Sequence, residues 1–252
     1  MKWLILRGLV REQRHWGPFK EIFEKKLRSI DANAEVFALD MPGFGTEVGR
    51  NSPLSVDGIV EDLRARWLQL RTIKSEPWGL LAISLGGMVA AHWSHKYPDD
   101  FKQIVLVNSS MSGLSPIHHR MIPSNYLNLI KLLLSRDLKE REKGILKMTT
   151  NLDLKKIEIQ AEKQVSYTVG VNRLNAVSQI FAAIKFIAPV KIRPPMLVLV
   201  ADGDQLVSPR CSDAIARKYD AVICRHPTGN HDLSTDEPQW IADQVVQWTV
   251  KN

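Results

Sequence analysis

Six short apolar runs, separated by longer amphipathic stretches, constrain the fold of this 252-residue chain more than any other feature. The runs are rich in Val, Ile and Leu and show little polar alternation, as is typical of strands buried on both faces of a parallel sheet. Strands that alternate with helices indicate βαβ units, so the sequence predicts an α/β fold with a mostly parallel, doubly wound sheet. The runs are Trp3–Leu6, Ala34–Leu39, Trp78–Ile83, Ile104–Val107, Met196–Ala201 and Ala221–Cys224.

The stretches between these runs carry apolar residues at helical spacing, three or four positions apart. Ser55 directly precedes one such stretch and is a suitable N-cap for it. The helices predicted between and after the strands are Phe19–Ile30, Val56–Ile73, Leu85–Tyr97, Cys211–Tyr219 and Trp240–Val250.

One interval lacks this alternation. From about Ser109 to Pro194 the sequence has helical patterns but no convincing strand. A crossover between neighbouring strands needs far fewer residues. We therefore predict an α/β core of residues 1–110 and 190–252, with a helical lid inserted at residues 111–189. The helices predicted in the lid are Tyr126–Leu134, Leu138–Lys147, Leu154–Val165 and Leu174–Ile187.

Composition and charge exclude several classes of protein. The formal net charge is +7, but no basic stripe with interleaved aromatic residues indicates nucleic-acid binding. No apolar run reaches the eighteen residues that a membrane-spanning helix requires. The first apolar run stops at Arg7, too early for a signal peptide. Cys211 and Cys224 have no metal-ligand spacing, and we expect a cytoplasmic protein.

The third apolar run leads directly into Ser84, which Leu85, Gly86 and Gly87 follow. A sharp strand-to-helix turn of this kind lifts a serine hydroxyl above the end of the sheet. The positions two before and two after the serine must then be small, because they face crowded backbone. Ala82 and Gly86 satisfy that condition. The segment therefore fits a nucleophile elbow, although an ordinary turn of small residues has the same composition.

Two later loops carry an acid and a base. Asp204 follows the fifth run closely, with Asp202 as the competing acid, and an Asp beside Gly203 is also common in plain turns. His231 lies between the sixth run and the terminal helix, where a histidine is usually a surface residue. The chain order Ser, Asp, His nevertheless fits a nucleophile, an orienting acid and a general base.

Together these segments resemble the α/β-hydrolase superfamily over essentially the whole chain. Leu6-Arg7-Gly8-Leu9 resembles the oxyanion segment of that family, with Arg7 where a histidine is usual. Asp40-Met41-Pro42-Gly43-Phe44-Gly45 resembles its D-x-P-G-x-G turn. We expect the cation at position 7 either to favour anionic substrates or to face solvent.

The resemblance implies a carboxylesterase-like serine hydrolase. In it Ser84 is the nucleophile, His231 the base and Asp204 the acid that orients the base. The backbone N–H groups of Leu9 and Leu85 form the oxyanion hole. No cofactor and no metal are implied, and the aspartate-based dehalogenases and epoxide hydrolases are disfavoured because a serine occupies position 84.

The implied reaction is hydrolysis of a small carboxylic ester or thioester through an acyl-enzyme intermediate. The alternatives are an esterase or thioesterase directed to acyl carrier protein or acyl-CoA, a carbon–carbon hydrolase or perhydrolase with the same triad, and a non-catalytic ligand receptor. We expect the many charges of the lid to form a solvated outer face or to receive an acyl carrier protein. Histidine pairs are expected at the surface: His92 with His95, and His118 with His119. The apolar residues expected to cover the site or form the lid core are Leu127, Ile130, Leu133, Leu134, Ile180, Phe181 and Ile184.

Overall fold

A computed structural model describes residues 1–167 and 172–251 of the chain. Six strands form one sheet in the order β2-β1-β3-β4-β5-β6, and each pair of neighbours is parallel. Each strand coincides with one of the predicted apolar runs to within two residues, so the predicted α/β fold is confirmed. The strands are β1 (Lys2–Leu6), β2 (Glu35–Ala38), β3 (Trp78–Ile83), β4 (Gln103–Val107), β5 (Met196–Ala201) and β6 (Val222–His226).

The predicted helices are present, with ends that differ by a few residues. Ser55 caps the second helix, because its hydroxyl accepts a hydrogen bond from the Gly58 N–H at 3.1 Å. The helices are α1 (Phe19–Leu27), α2 (Val56–Leu70), α3 (Leu85–Lys96), α4 (Ile117–Arg120), α5 (Tyr126–Leu134), α6 (Leu138–Thr149), α7 (Leu154–Tyr167), α8 (Arg173–Lys185), α9 (Arg210–Tyr219), α10 (Leu233–Asp236) and α11 (Pro238–Lys251).

Both faces of the sheet are covered by helices. Successive residues of a strand point to opposite faces, so Leu4 packs into one core cluster and Trp3 into the other. The first cluster includes Trp67 of α2 and Trp93 of α3, whose rings meet edge to face with centroids 5.8 Å apart. The second includes residues of α1 and α11. Burial on both faces explains why the strands lack polar alternation.

The chain between β4 and β5 forms helices α4 to α8, and we call residues 111–189 the helical insertion. A parallel bridge between Ser112 and Ile187 joins its two ends. Because Ile187 is extended there, α8 ends at Lys185, two residues before its predicted end. The division of the chain into a core and a lid stays a prediction.

None of the helices in residues 1–167 and 172–251 combines the length and the apolar composition that a membrane crossing requires. The cytoplasmic location expected from the sequence stays a prediction.

Candidate active site

Ser84 lies at the junction of β3 and α3, in a backbone conformation that residues other than glycine rarely adopt, with φ 56° and ψ −119°. Two hydrogen bonds to β4 and the loop after it hold this conformation. The Ser84 N–H donates to the Val107 carbonyl at 3.0 Å, and the Ser109 hydroxyl donates to the Ser84 carbonyl at 2.8 Å. A strained residue that its surroundings fix in this way is a frequent feature of active sites.

The close approach of β1 to this turn requires glycine. A Cβ atom at Gly86 would lie 2.6 Å from the carbonyl oxygen of Arg7 and 2.8 Å from that of Leu6. At Gly8, a Cβ atom would lie 3.0 Å from the Cβ of Ser84. The steric demand at Gly86, predicted from the spacing around the serine, is therefore present in the structure.

His231 and Asp204 are hydrogen-bonded partners. His231 Nδ1 lies 2.8 Å from Asp204 Oδ2, and both side chains are buried. The other carboxylate oxygen, Asp204 Oδ1, accepts from the N–H groups of Leu206 at 2.8 Å and Val207 at 2.9 Å. The competing acid, Asp202, instead pairs with Arg225 at the surface. Geometry therefore selects Asp204 over Asp202 as the partner of His231, while the catalytic roles stay predictions.

The loop that carries His231 is fastened by Asn108, which directly follows β4. The Asn108 side-chain amide donates to the carbonyls of His231 at 2.9 Å and Asn230 at 3.2 Å, and its oxygen accepts from the Ala201 N–H at 2.9 Å. Asn108 has φ 44°, in the left-handed region that Asn tolerates better than most residues. Sequence reasoning missed this residue, although an Asn immediately after a buried strand is a signal that could have identified it.

Leu9 and Leu85 are the residues whose N–H groups are predicted to bind the oxyanion. Leu9 and Leu85 line the same cavity as Ser84 and His231. Leu85 is the first residue of α3, so its N–H has no acceptor within the helix. The next residue after Leu9, Val10, has φ 58°, which is unusual for a β-branched residue.

Helix α8 of the insertion holds this strained segment. Gln179 is fully buried and accepts a hydrogen bond from the Val10 N–H at 2.9 Å. Its amide nitrogen lies 3.6 Å from the Met41 sulfur. The insertion thus reaches the backbone next to the predicted oxyanion hole, a contact that the sequence did not indicate.

Arg7 does not face solvent, so that expectation is wrong. Its side chain is 5% exposed and makes a two-pronged ion pair with Asp232, at 3.0 and 2.6 Å. It also donates to the Ser234 hydroxyl at 2.8 Å and lies over the Trp16 ring, 4.8 Å from the centroid. Burial by itself raises the pKa of Asp232, but the charge and hydrogen bonds of Arg7 outweigh it and hold that pKa far below its usual range.

A cavity of about 570 Å³ opens between the sheet and the helical insertion, lined mainly by apolar side chains. Leu133, Ile180 and Ile184 line it, as expected. The expectation for the rest of α5 is wrong: Leu127 is 70% exposed and Leu134 67% exposed, because the inward face of α5 carries Leu129, Leu132 and Leu133. The outward-facing members of the predicted apolar set are Leu127, Ile130 and Leu134, and Phe181 is 40% exposed.

Most charges of the helical insertion lie on its outer surface, where ion pairs such as Lys139 with Glu158 form. Arg141 and Glu142 are exceptions to the expected solvated face, since both are buried. Glu142 pairs with Arg11 of the core. The sequence gives α6 no separate signal for these two inward charges.

The histidines of the first pair contact different partners, whereas the rings of His118 and His119 contact each other with centroids 4.6 Å apart. His92 Nε2 lies 2.9 Å from Asp57 Oδ1, and His95 Nδ1 lies 2.8 Å from the Lys191 carbonyl. His118 and His119 are outside the cavity lining. Over the part of the chain that the structure describes, no group of three or more His, Cys, Asp or Glu side chains is arranged to hold a metal ion.

The chain matches a known protein family over most of its length. The family described as serine aminopeptidase, S33, matches residues 15–238, which include the elbow, both acid candidates and His231. The chain belongs to this family. Membership in the S33 family confirms the predicted α/β-hydrolase superfamily and the prediction that the chain is a hydrolase.

Individual relatives of this S33 family member are distant. The Bacillus subtilis protein YbdG is 21% identical over 235 residues, which cover 82% of this chain and 68% of YbdG. Pimeloyl-[acyl-carrier protein] methyl ester esterase of Chromobacterium violaceum is 30% identical over 95 residues, or 38% of this chain and 34% of the esterase. A hydrolase structure from Pseudomonas aeruginosa has the same fold, with a TM-score of 0.76 at 18% identity, covering 98% of this chain and 89% of the other.

Proposed function

We propose that the protein hydrolyses a carboxylic ester or thioester, with Ser84, His231 and Asp204 as its catalytic triad. The observation that carries this proposal is the contact between His231 Nδ1 and Asp204 Oδ2 at 2.8 Å, in the cavity wall that Ser84 shares with His231. With Nδ1 engaged by the carboxylate, Nε2 is the nitrogen that can take the proton of the Ser84 hydroxyl.

The proposed mechanism has two halves. Ser84 Oγ attacks the carbonyl carbon while His231 Nε2 takes its proton, and Asp204 stabilises the imidazolium that forms. The backbone N–H groups of Leu9 and Leu85 donate to the oxyanion. His231 then protonates the departing alcohol or thiol, leaving Ser84 acylated. In the second half, His231 deprotonates water, which attacks the acyl carbon and releases the acid and the free serine.

The chemistry of the cavity favours an ester over the peptide substrate in the name of the family. An aminopeptidase must hold the free α-ammonium group of its substrate, and a carboxylate does this best. Among the described residues that line the cavity, Asp232 is the one acidic side chain, and Arg7 already neutralises it. The remaining charges are cationic and would repel an ammonium group.

A fluorophosphonate probe tests this proposal because it labels only activated serines. We expect labelling of the wild type, complete loss in Ser84→Ala, and retained labelling in Ser110→Ala, since Ser110 lines the same cavity but lies outside the elbow. Folded wild-type protein that is not labelled would contradict the enzymatic assignment and favour a ligand receptor. Rates on p-nitrophenyl esters and acyl-CoA thioesters then separate the two substrate classes.

An acyl carrier protein as the substrate carrier is a second, finer candidate. The matched Chromobacterium esterase acts on such a carrier by its name, and the helical insertion exposes lysines such as Lys131, Lys147 and Lys155. Binding that weakens as salt is raised, and that disappears when these three lysines become glutamates, would support this partner. Binding that is unaffected by both changes would contradict it.

A further inference from the structure

Arg141 is a mostly buried cation that lines the cavity of the candidate active site, and its side chain makes no hydrogen bond or ion pair with the residues that the structure describes. It lies on α6 of the helical insertion, is 6% exposed, and contributes to the cavity lining. Its Nε and Nη2 atoms have no hydrogen-bond acceptor within residues 1–167 and 172–251. Burying two guanidinium nitrogens without hydrogen-bond acceptors is unfavourable, so packing alone does not explain why this side chain lies there.

The other arginines that line the cavity all have partners. Arg7 binds Asp232 and Arg11 binds Glu142. Arg120 donates to the Ala183 carbonyl at 2.6 Å, and Arg173 donates to the Ser135 carbonyl at 3.1 Å. Among the described residues of the lining, the arginines outnumber the carboxylates, because Asp232 is the one acidic side chain there.

Charged groups of both signs lie near Arg141. Burial lowers the pKa of Arg141, nearby Glu142 raises it, and the cations of Arg173 and Arg11 lower it further. Even so, an arginine stays protonated in proteins. The cavity is therefore mainly apolar, and the guanidinium of Arg141 has N–H groups that can donate to an anion within it.

We propose that Arg141 binds an anionic group, a carboxylate or a phosphate, carried by the apolar part of the substrate. A guanidinium matches both anions because it donates two parallel N–H bonds, and these bonds are strong where water is excluded. The proposal rests on the proposed esterase function and narrows it. The substrate is an ester or thioester whose apolar chain carries an anion that Arg141 holds while Ser84 acts on the carbonyl.

A pair of matched substrates tests this selectivity. We compare p-nitrophenyl octanoate with the mono-p-nitrophenyl ester of octanedioic acid, which has the same chain but ends in a carboxylate. In Arg141→Met we expect kcat/KM for the acid-terminated ester to fall about 10- to 100-fold, while the neutral ester is unaffected or improved. Arg141→Lys keeps the positive charge but lacks the two parallel N–H donors, so its kcat/KM for the acid-terminated ester should lie between the values of the wild type and of Arg141→Met. Equal changes for both esters, or no change, would overturn the proposal.

The matched control is Arg136→Met, which removes an exposed arginine of the same insertion outside the cavity lining. It should leave the ratio of the two rates at the wild-type value. If it lowers that ratio as Arg141→Met does, the selectivity comes from general surface charge and the Arg141 site is refuted.

Thermal unfolding supplies a test that does not depend on turnover. Octanoate or octyl phosphate should raise the Tm of the wild type, and the anion that raises it more is the one that Arg141 prefers. Octanol should have a smaller effect, and Arg141→Met should lose the difference. In the absence of ligand, Arg141→Met should have an equal or higher Tm than the wild type. A large loss of stability in Arg141→Met, or no stabilisation of the wild type by either anion, would contradict the proposal.

The two hypotheses fail in different ways. If no ester or thioester is hydrolysed and no serine is labelled, the proposed function fails, while stabilisation by anions through Arg141 would still support the binding site. If both esters are hydrolysed without any dependence on Arg141, the anion site fails and the esterase function stands.

Discussion

Replacing Arg7 with methionine removes one half of a buried ion pair that joins two loops of the candidate site. Arg7 and Asp232 are 225 positions apart in sequence and meet through two hydrogen bonds of 3.0 and 2.6 Å. Arg7 directly precedes the segment that carries Leu9, and Asp232 directly follows His231. The pair therefore fixes the predicted oxyanion donor relative to the predicted base.

The expected magnitude follows from burial. Each side chain is about 5% exposed, so Arg7→Met leaves Asp232 charged and almost without water. Removing one partner of such a pair costs about 3–5 kcal/mol. For a domain of this size, that corresponds to a Tm roughly 6–20 °C lower. Urea denaturation gives the free energy of unfolding, and the Tm checks it independently.

The double variant Arg7→Met with Asp232→Leu separates stability from function. Both charges are then gone, and we expect the free energy of unfolding to return to within about 1–2 kcal/mol of the wild type. Activity should not return, because the segment that carries Leu9 and the loop that carries His231 are no longer held in position relative to each other. A displacement of about 1 Å at reacting groups lowers rates on the order of 100-fold.

The pH dependence has a definite sign. In the wild type the folded-state pKa of Asp232 lies below its unfolded value, so the pair stabilises the fold above about pH 4 and this contribution is lost as the pH falls further. In Arg7→Met the Ser234 hydroxyl still donates to Asp232 Oδ1 at 2.7 Å, but the charge of Arg7 no longer opposes the effect of burial. We therefore expect the folded-state pKa of Asp232 to rise above its unfolded value, so that the variant takes up a proton on folding once the pH falls below the raised pKa. The difference in the free energy of unfolding between the wild type and Arg7→Met should therefore become smaller as the pH is lowered from 7 to 4. A loss under about 1 kcal/mol in Arg7→Met, independent of pH, would refute this reasoning.

Three further substitutions test the candidate site. Gly86→Ala should lower the free energy of unfolding by about 2–3 kcal/mol, because its Cβ would lie 2.6 Å from a backbone carbonyl oxygen. The control is Gly49→Ala, whose Cβ would have no atom within 4 Å and which should change the free energy of unfolding by under about 0.5 kcal/mol. Urea titrations measure both. Gln179→Met should lower kcat on p-nitrophenyl esters about tenfold, because it removes the acceptor of the Val10 N–H, and should lower the free energy of unfolding by about 1–2 kcal/mol. An unchanged kcat would show that this contact between the insertion and the oxyanion segment does not affect catalysis. Asp204→Asn should lower kcat by about 1,000-fold or more because it removes the carboxylate that orients His231, and a variant with near-normal kcat would exclude Asp204 as the triad acid.

The strands and the elbow were predictable because they depend on local patterns. An apolar run of four to six residues, bounded by turn residues, is sufficient to indicate a buried strand. The small residues around Ser84 reflect a steric condition that acts within a few positions of the chain. Ser55 was identifiable as an N-cap for the same reason, since its hydroxyl binds an N–H only three residues away.

The partners of the charged residues were not predictable. Asp202 and Asp204 are two residues apart and chemically identical, and only the position of His231 separates them. Arg7 was expected to face solvent or substrate, but it is paired with a residue near the other end of the chain. Arg141 sits among the surface charges of α6 in sequence, yet its side chain faces the cavity.

The order of strands and helices along the chain, the turn that presents Ser84, and the set of groups from which a triad is drawn all follow from the amino-acid sequence alone. Only the folded chain shows which carboxylate meets the imidazole, which apolar face of α5 turns inward, and which cavity arginine makes no ion pair among the described residues. The difference arises from the distance along the chain over which each interaction acts. Hydrophobic periodicity and backbone sterics act between near neighbours, whereas ion pairing and burial depend on groups that only the folded chain brings together.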